Sequence, residues 1–352
     1  MMYTREIRNP GPSLVERGEP LQGTWLTAFD EVDLLTIRKP FPFPVPVPRW
    51  ARNWRLKEWQ TFAVQDDRFF LSAAAGNMKS FRWVQVFLYD KEEGGQIRYR
   101  KLAPLGGWRM PRSLANSSID CRFSGFFFRI HHWLDANTVK IDLDIEPARS
   151  GASFTAHLEY AVDPRRCSPV TVSLLLPKDR CFYACKSVTP VQGDIVFGGR
   201  HLRLDPARTT GFFGDFKGYY PYRAFWTRCT GTGFDKAGRR YGFSVAENRT
   251  LGSFKNNENV LWVDGNPTPL PPVRVTMPGG PEAEWVIQDV EGMVDLVFTP
   301  KESFRSGCNL LAVRAEYDTP LGHYNGTLVD SAGNTVDLRN HWGMGENLYM
   351  RL

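Results

Sequence analysis

A strict two-residue alternation of apolar and polar side chains constrains this chain more than any other feature. Val139, Ile141, Leu143 and Ile145 interleave with Lys140, Asp142 and Asp144, the pattern of a half-buried strand whose successive side chains point to opposite faces. The two aspartates therefore belong on a solvated face and are not catalytic candidates. Turn-forming groups interrupt such runs at short intervals: Gly198–Gly199, Lys236–Gly238, Asp264–Asn266, Glu291–Gly292 and Ser331–Gly333, each placed to close a hairpin. No stretch carries a sustained helical stripe with caps, so helices should be few and short, and βαβ architectures are disfavoured.

A meander of this kind over 352 residues exceeds what one core usually organises and predicts an all-β chain of two antiparallel barrels in tandem. Two prolines and three charges between Ala161 and Pro169 interrupt the strand pattern. The expected division is therefore 1–165 and 166–352. The 11 Trp and 24 Phe supply more ring surface than packing alone needs, so some rings are expected to line a cavity. The formal charge of +6 is small and scattered, which speaks against a nucleic-acid partner. The start of the chain lacks the apolar core of a secretory signal and no long apolar run follows, so the expectation is a cytoplasmic protein, monomer or homodimer.

Six cysteines without C-x-x-C spacing are read as buried free thiols, and no metal site is expected. Nucleotide-binding loops, nucleophile elbows and zinc-protease motifs are absent, so no cofactor is implied. Proline alternates with bulky residues from Lys39 to Pro48, which forces an extended or irregular path. Arg49, Arg52, Arg55 and Lys57 then interleave with Trp50, Trp54 and Trp59. Two readings fit: a loop with its Trp rings in the core and Arg heads in water, or a peripheral membrane contact through the Phe41–Phe43 loop.

One aspartate, Asp215, sits among Phe212, Phe213, Phe216, Tyr219, Tyr220, Tyr222 and Trp226. If buried among rings it would hold its proton and act as an acid. The opposing reading is a turn aspartate between Gly214 and Gly218, its carboxylate capping backbone N–H groups. Lys217 lies two positions on, on the same face if the segment is a strand, and would hold the carboxylate ionised. Lys186 ends an apolar run on the face of Phe182 and Ala184 and calls for a carboxylate partner, Asp215 or Glu247. The cluster Asn256–Asn259 beside Trp262 is read as a hydrogen-bonded turn, with Asn259 its candidate binding member. His323 and His341 flank the last hairpin and are placed with Glu346 at one barrel mouth, with packing roles as the alternative.

Several motifs recur in one order: Trp54, Lys57, Glu58 and Trp59; Phe182–Lys186 followed by Gly193; Gly218–Trp226; Glu258–Gly265; Asp295–Pro300; and the terminal Gly345–Glu346. From about residue 20 to the end, their order resembles the bacterial family labelled domain of unknown function 2804. By architecture the chain is similar to lipocalin-like tandem-barrel proteins, including carotenoid 1,2-hydratase, tocopherol cyclase and the lipocalin-like Diels–Alderases. The resemblance implies two lipocalin- or calycin-like barrels with a hydrophobic ligand in or between them. It also implies a chemistry in which an aspartic acid protonates a double bond and ring faces steady the carbocation.

The resulting expectation is a cofactor-free enzyme acting on an extended terpenoid, polyene or lipid-like molecule by acid-catalysed hydration, isomerisation or cyclisation. Asp215 would be the acid, Tyr220 and Tyr222 its partners and Trp226 a cation-facing wall. Phe213, Lys186, Asn259, Trp262, His323, His341 and Glu346 complete the candidate binding set. The alternative is a non-catalytic carrier of such a molecule, whose pocket needs no acid.

Overall fold

The alternating runs become strands, and among the described residues helix is confined to one α-helix, Arg49–Arg55, and two single 3-10 turns, Leu34–Thr36 and Leu134–Ala136. The computed structural model describes residues 3–43, 45–103, 107–146, 153–163, 165–247, 250–310 and 313–351, with backbone alone for 308–310 and 313. Among these residues three large antiparallel sheets form three layers.

The central sheet has eight strands, in spatial order Gly23–Leu26, Val170–Leu176, Arg180–Thr189, Thr210–Gly218, Lys57–Gln65, Phe69–Asn77, Arg82–Asp90 and Gln96–Ala103. The outer sheet has six: Arg200–Leu204, Val191–Phe197, Phe154–Ala161, Thr138–Ile145, Phe126–Trp133 and Ser117–Phe123. The third sheet has nine strands, drawn from residues 223–351, and contains three 17-residue strands, Val294–Leu310, Val313–Val329 and Thr335–Arg351. Every turn singled out above joins neighbouring antiparallel strands.

Burial follows alternation where one face meets water. Val139, Ile141, Leu143 and Ile145 are buried in the outer sheet, while Asp142 stands outside and pairs with His157. The central sheet differs because both its faces are covered. All nine residues of Thr210–Gly218 are buried, as are those of Lys57–Gln65 and Phe69–Asn77. One apolar core lies between the central and outer sheets and includes Phe62, Phe213, Phe128 and Tyr160. A second, with Trp59, Phe216, Trp226 and Trp262, lies between the central and nine-stranded sheets. A third fills the interior of the nine-stranded sheet, which curls on itself. Two strands intervene between those carrying Phe243 and Tyr324, yet the rings meet edge to face at 5.0 Å. In a flat sheet they would stand roughly 14 Å apart.

Strand pairing runs through the expected division at 165/166. Val191–Phe197 pairs with Phe154–Ala161, and Thr210–Gly218 pairs with Lys57–Gln65. Residues 166–218 therefore complete the two sheets begun by the first half, and the nine-stranded sheet starts at Arg223. The local break falls between the strands Phe154–Ala161 and Val170–Leu176, and hydrogen bonding across it decides the grouping.

The rings of the Pro-rich segment also depart from the packed-loop reading. Phe41 rests on Tyr219 at 6.0 Å, but Phe43, Trp50 and Trp54 are exposed, Trp50 by 75%. A seven-residue helix has too little surface to bury both tryptophans while Arg52 reaches the Ile37 carbonyl and Arg55 the Tyr220 carbonyl. Cys121, Cys167, Cys181, Cys185 and Cys229 are buried and free, and the Cys308 side chain lies outside the described residues. No helix among the described residues is long and apolar enough to cross a membrane.

The turn at Asp264–Gly265 holds both residues at positive φ, +48° and +79°, as a tight two-residue hairpin turn demands. A Cβ on Gly265 would lie 1.6 Å from the Arg166 carbonyl oxygen. Gly265→Ala should thus lower unfolding free energy by more than about 2 kcal/mol. Gly238→Ala, also at positive φ but with open space around its Cβ, should cost about 1 kcal/mol. Urea unfolding of the two variants checks the difference; equal losses would remove the steric argument.

Candidate functional site

Alternation along Thr210–Gly218 sends Phe213, Asp215 and Lys217 toward the outer sheet and Phe212 and Phe216 toward the nine-stranded sheet. The sheet itself therefore separates Asp215 from Tyr220 and Trp226, which pack in the second core. Tyr222, half exposed at 51%, joins neither. The grouping of Asp215 with these three aromatics is not one the fold assembles.

Asp215 is not a turn residue either. It lies in mid-strand, opposite Cys185 on one side and Gln60 on the other, fully buried. Its Oδ2 stands 3.2 Å from Lys217 Nζ, and its Oδ1 accepts from Gln60 Nε2 at 3.1 Å. Gln60 Oε1 meets His132 Nε2 at 2.9 Å, and Lys217 also donates to the Pro111 carbonyl at 2.6 Å. Burial, with Lys217 nearby, depresses the His132 pKa to about 3, so its ring is neutral. The same-face Lys217 expected from the alternation is thus an ion partner. Phe213 packs on Phe62 and His132 in this core.

The opposite face carries a different buried set. Lys186, on the face of Phe182 and Ala184 as expected, is paired with neither Asp215 nor Glu247. Its ammonium donates to Glu258 Oε2 at 3.1 Å, to the Glu258 carbonyl and to Ser244 Oγ. Glu247 instead accepts from the Val275 backbone N–H. Arg228 completes the group: its Nη2 lies 3.3 Å from Glu258 Oε2 and its Nη1 3.1 Å from Glu346 Oε2. All four side chains are at most 5% exposed.

Their titration splits the two carboxylates. Burial raises the Glu258 pKa, but Arg228 and Lys186 together outweigh it and hold that group below the ordinary value. For Glu346 burial wins over its single cation, Arg228, and the negative Glu258 adds to the effect, so its pKa is raised. Burial likewise lowers Lys186 to about 8 against the pull of Glu258. Two carboxyl groups held apart in this way are the usual arrangement of an acid beside a permanent anion.

Glu346 also lines a cavity of about 290 Å³ between the central and nine-stranded sheets, with Trp59, Trp83, Trp226, Leu348 and Met350 among its walls. Trp59 stacks on Trp226 at 5.6 Å with planes 4° apart, and on Phe216 at 5.3 Å; Arg228 lies over the Phe216 ring at 4.1 Å. Tyr220 stacks on Trp226 at 5.3 Å. The Trp226 indole N–H lies near the Glu346 carboxyl without the geometry of a formed hydrogen bond, and Tyr317 approaches the same group. An acid thus faces an apolar space walled by ring faces, the surroundings that suit proton transfer to a carbon skeleton.

The remaining candidates disperse. Asn259 is structural: its Oδ1 accepts from the Ala246 N–H at 2.7 Å and its Nδ2 donates to the Pro271 carbonyl at 2.8 Å. Trp262 is fully buried, its indole N–H on the Ser168 carbonyl at 2.9 Å. His323 packs edge-on against Trp342 at 4.1 Å, and His341 bonds the Tyr241 hydroxyl; burial lowers both pKa values. His341 lines a separate polar cavity with Gln65, Lys91 and Arg208, so neither histidine joins Glu346. Sequence reasoning missed Arg228 and Glu258. Glu258 stood inside a flagged motif, and Arg228 alternates with Trp226 on one face of its strand, which is the signal that would have found it. Among the described residues no group of three or more His, Cys, Asp or Glu is arranged to hold a metal ion.

Glu258→Gln should destabilise the protein by about 3–5 kcal/mol at pH 7, because it leaves two buried cations short of charge. Lys186→Met should cost less, since Glu258 keeps Arg228. A carboxylate with a depressed folded pKa stabilises above its unfolded value and loses that contribution as pH falls through the folded one. The gap between wild type and Glu258→Gln should therefore narrow on acidification below about pH 4.5, the ordinary value. Urea midpoints across pH check this; a constant gap would refute it.

Two solved structures share the fold. Kievitone hydratase from Nectria haematococca aligns with a TM-score of 0.51 at 10% identity, over 83% of this chain and 88% of its own. CghA with Sch210972 aligns with a TM-score of 0.53 at 12% identity, over 90% of this chain and 95% of its own. At these identities the likeness shows the lipocalin-like tandem-barrel architecture alone. No curated protein matches the chain in sequence. The profile of the family described as domain of unknown function (DUF2804) matches residues 4–352, and the chain belongs to that family.

Proposed function

We propose that the protein is an enzyme that protonates an extended apolar molecule held between the central and nine-stranded sheets, with Glu346 as the acid. The observation that carries this reading is the position of Glu346. It is a buried carboxyl of raised pKa on the wall of an apolar cavity, facing the stacked rings of Trp59 and Trp226. Hydration, isomerisation and cyclisation of a polyene or terpenoid skeleton all begin with such a proton transfer, and the cation that follows is stabilised by ring faces at a few kcal/mol or less per ring. Arg228 orients the carboxyl through Oε2, and the fixed anion Glu258 holds Arg228 in place. Asp215, ion-paired in the other core, is assigned a structural role. That one fold neighbour is named a hydratase is in keeping with the reading and does not carry it.

Mass spectrometry of the small molecule that co-purifies with the native protein supplies the test compound. Returned to ligand-free protein, it should be converted by wild type, and at least about 100-fold more slowly by Glu346→Gln, with affinity changed less than about threefold. Asp215→Asn should lower stability but spare turnover per folded molecule. Unchanged conversion by Glu346→Gln would remove the acid assignment, and tight binding without any conversion by wild type would favour the carrier reading.

The exposed Phe43, Val45, Trp50 and Trp54 beside Arg49 and Arg55 favour a further proposal, that the ligand is collected at a lipid surface. Rings and arginines of this kind settle at the headgroup level of anionic bilayers. Co-sedimentation with anionic liposomes should fall at least about fivefold in Phe43→Ser/Trp50→Ser, two buried-ring losses of roughly this size or more being expected. Undiminished sedimentation would exclude the segment as the contact.

A further inference from the structure

Behind Trp226 lies a second pocket, of about 190 Å³, walled by Phe182, Tyr220, Trp226, Arg223, Arg228 and Glu258. Trp226 is common to this pocket and the larger cavity. Two of its lining side chains carry buried donors with no hydrogen-bond partner, the Tyr220 hydroxyl and the Arg228 Nε–H, while the Trp226 indole N–H lies beside Glu346 of the larger cavity. Both residues are more than nine-tenths buried, at 5% and 2% exposure. A buried donor without a partner is costly, and two on the wall of one small space are a cost that a ligand oxygen would relieve.

Charge selects the kind of oxygen. Glu258 is the one acidic group on this pocket's wall, and it is already engaged by Lys186 and Arg228. Arg223 lines the pocket, Arg55 donates to the Tyr220 carbonyl at 3.0 Å, and Arg180 sits close enough to Arg55 to feel its charge. With Glu346 in its acid form, as the proposed function requires, Lys186 and Arg228 face a single carboxylate. The group therefore carries an uncompensated positive charge. Burial keeps Tyr220 a neutral donor by raising its pKa well above the ordinary value.

We infer that this pocket is a carboxylate site and that the protein's ligand is an extended apolar acid, its hydrocarbon in the larger cavity and its carboxylate against Tyr220 and Arg228. The inference rests on the cleft reading above and narrows its substrate class. Hydroxyl and ester ligands would satisfy fewer of the donors and leave the excess positive charge unmatched.

A conjugated tetraenoic fatty acid, its methyl ester and the matching alcohol distinguish the cases, with binding read from the rise in polyene fluorescence. Wild type should bind the acid at least about tenfold more tightly than the ester or alcohol, as loss of charge-assisted hydrogen bonds implies. Tyr220→Phe should weaken the acid about tenfold and the ester less than twofold. Ala315→Trp, which fills the larger cavity from its wall, should weaken all three. Equal affinities for acid and ester, or equal effects of Tyr220→Phe on both, would overturn the carboxylate site while leaving the cleft intact. No binding of any probe, or binding that survives Ala315→Trp, would overturn the cleft reading and this inference together.

Discussion

The structure depends on one buried electrostatic group, in which Lys186 from the central sheet and Arg228 from the nine-stranded sheet share Glu258, and Arg228 reaches on to Glu346. Ions taken out of water are costly unless each finds its opposite at close range. The two sheets can hold these charges only in the relative position that makes the contacts. The same requirement keeps the stack from Phe216 through Trp59 to Trp226 aligned, because Arg228 also lies over the Phe216 ring. Position and charge are thus set together at the seam where the cavity opens.

A two-faced sheet explains why two acids of similar composition receive opposite roles. Asp215 and Glu346 are both buried, and both lie close in space or sequence to tyrosine and tryptophan. Asp215 has a lysine at 3.2 Å on its own strand and an amide on the next, inside the first core. Glu346 shares its only cation with a stronger competitor, Glu258. Low dielectric then acts on Glu346 with little opposition, and its proton is held more tightly than that of a carboxyl in water. The difference lies in the neighbours that each face of the sheet supplies.

Much of the architecture was legible in the chain. The alternation at Val139–Ile145, the hairpin turns and the lack of helical stripes identify antiparallel sheets, because a strand's facing is a local property of period two. The placement of Lys186 on the face of Phe182 and the pairing of Lys217 with Asp215 follow from the same period. Where every position is buried, as in Thr210–Gly218, alternation still separates two faces but no longer marks which one meets which layer. The grouping of Asp215 with Tyr220 and Trp226 failed for that reason. The expected division at 165 failed because a local break in pattern does not reveal which strands hydrogen-bond.

What the sequence determined by itself was the class of fold, its hairpin punctuation, the surplus of rings and the need for a partner to each buried charge, since all of these are set by neighbouring residues and by solvation cost. The tertiary structure alone decided which carboxylate answers which cation, which acid faces the cavity and which tryptophans stay in water. Those outcomes depend on contacts between residues distant in the chain, 30 positions for Arg228 with Glu258, 72 for Lys186 with Glu258 and 118 for Arg228 with Glu346, and distance in space along such a chain is fixed by strand order and sheet curvature rather than by any local pattern.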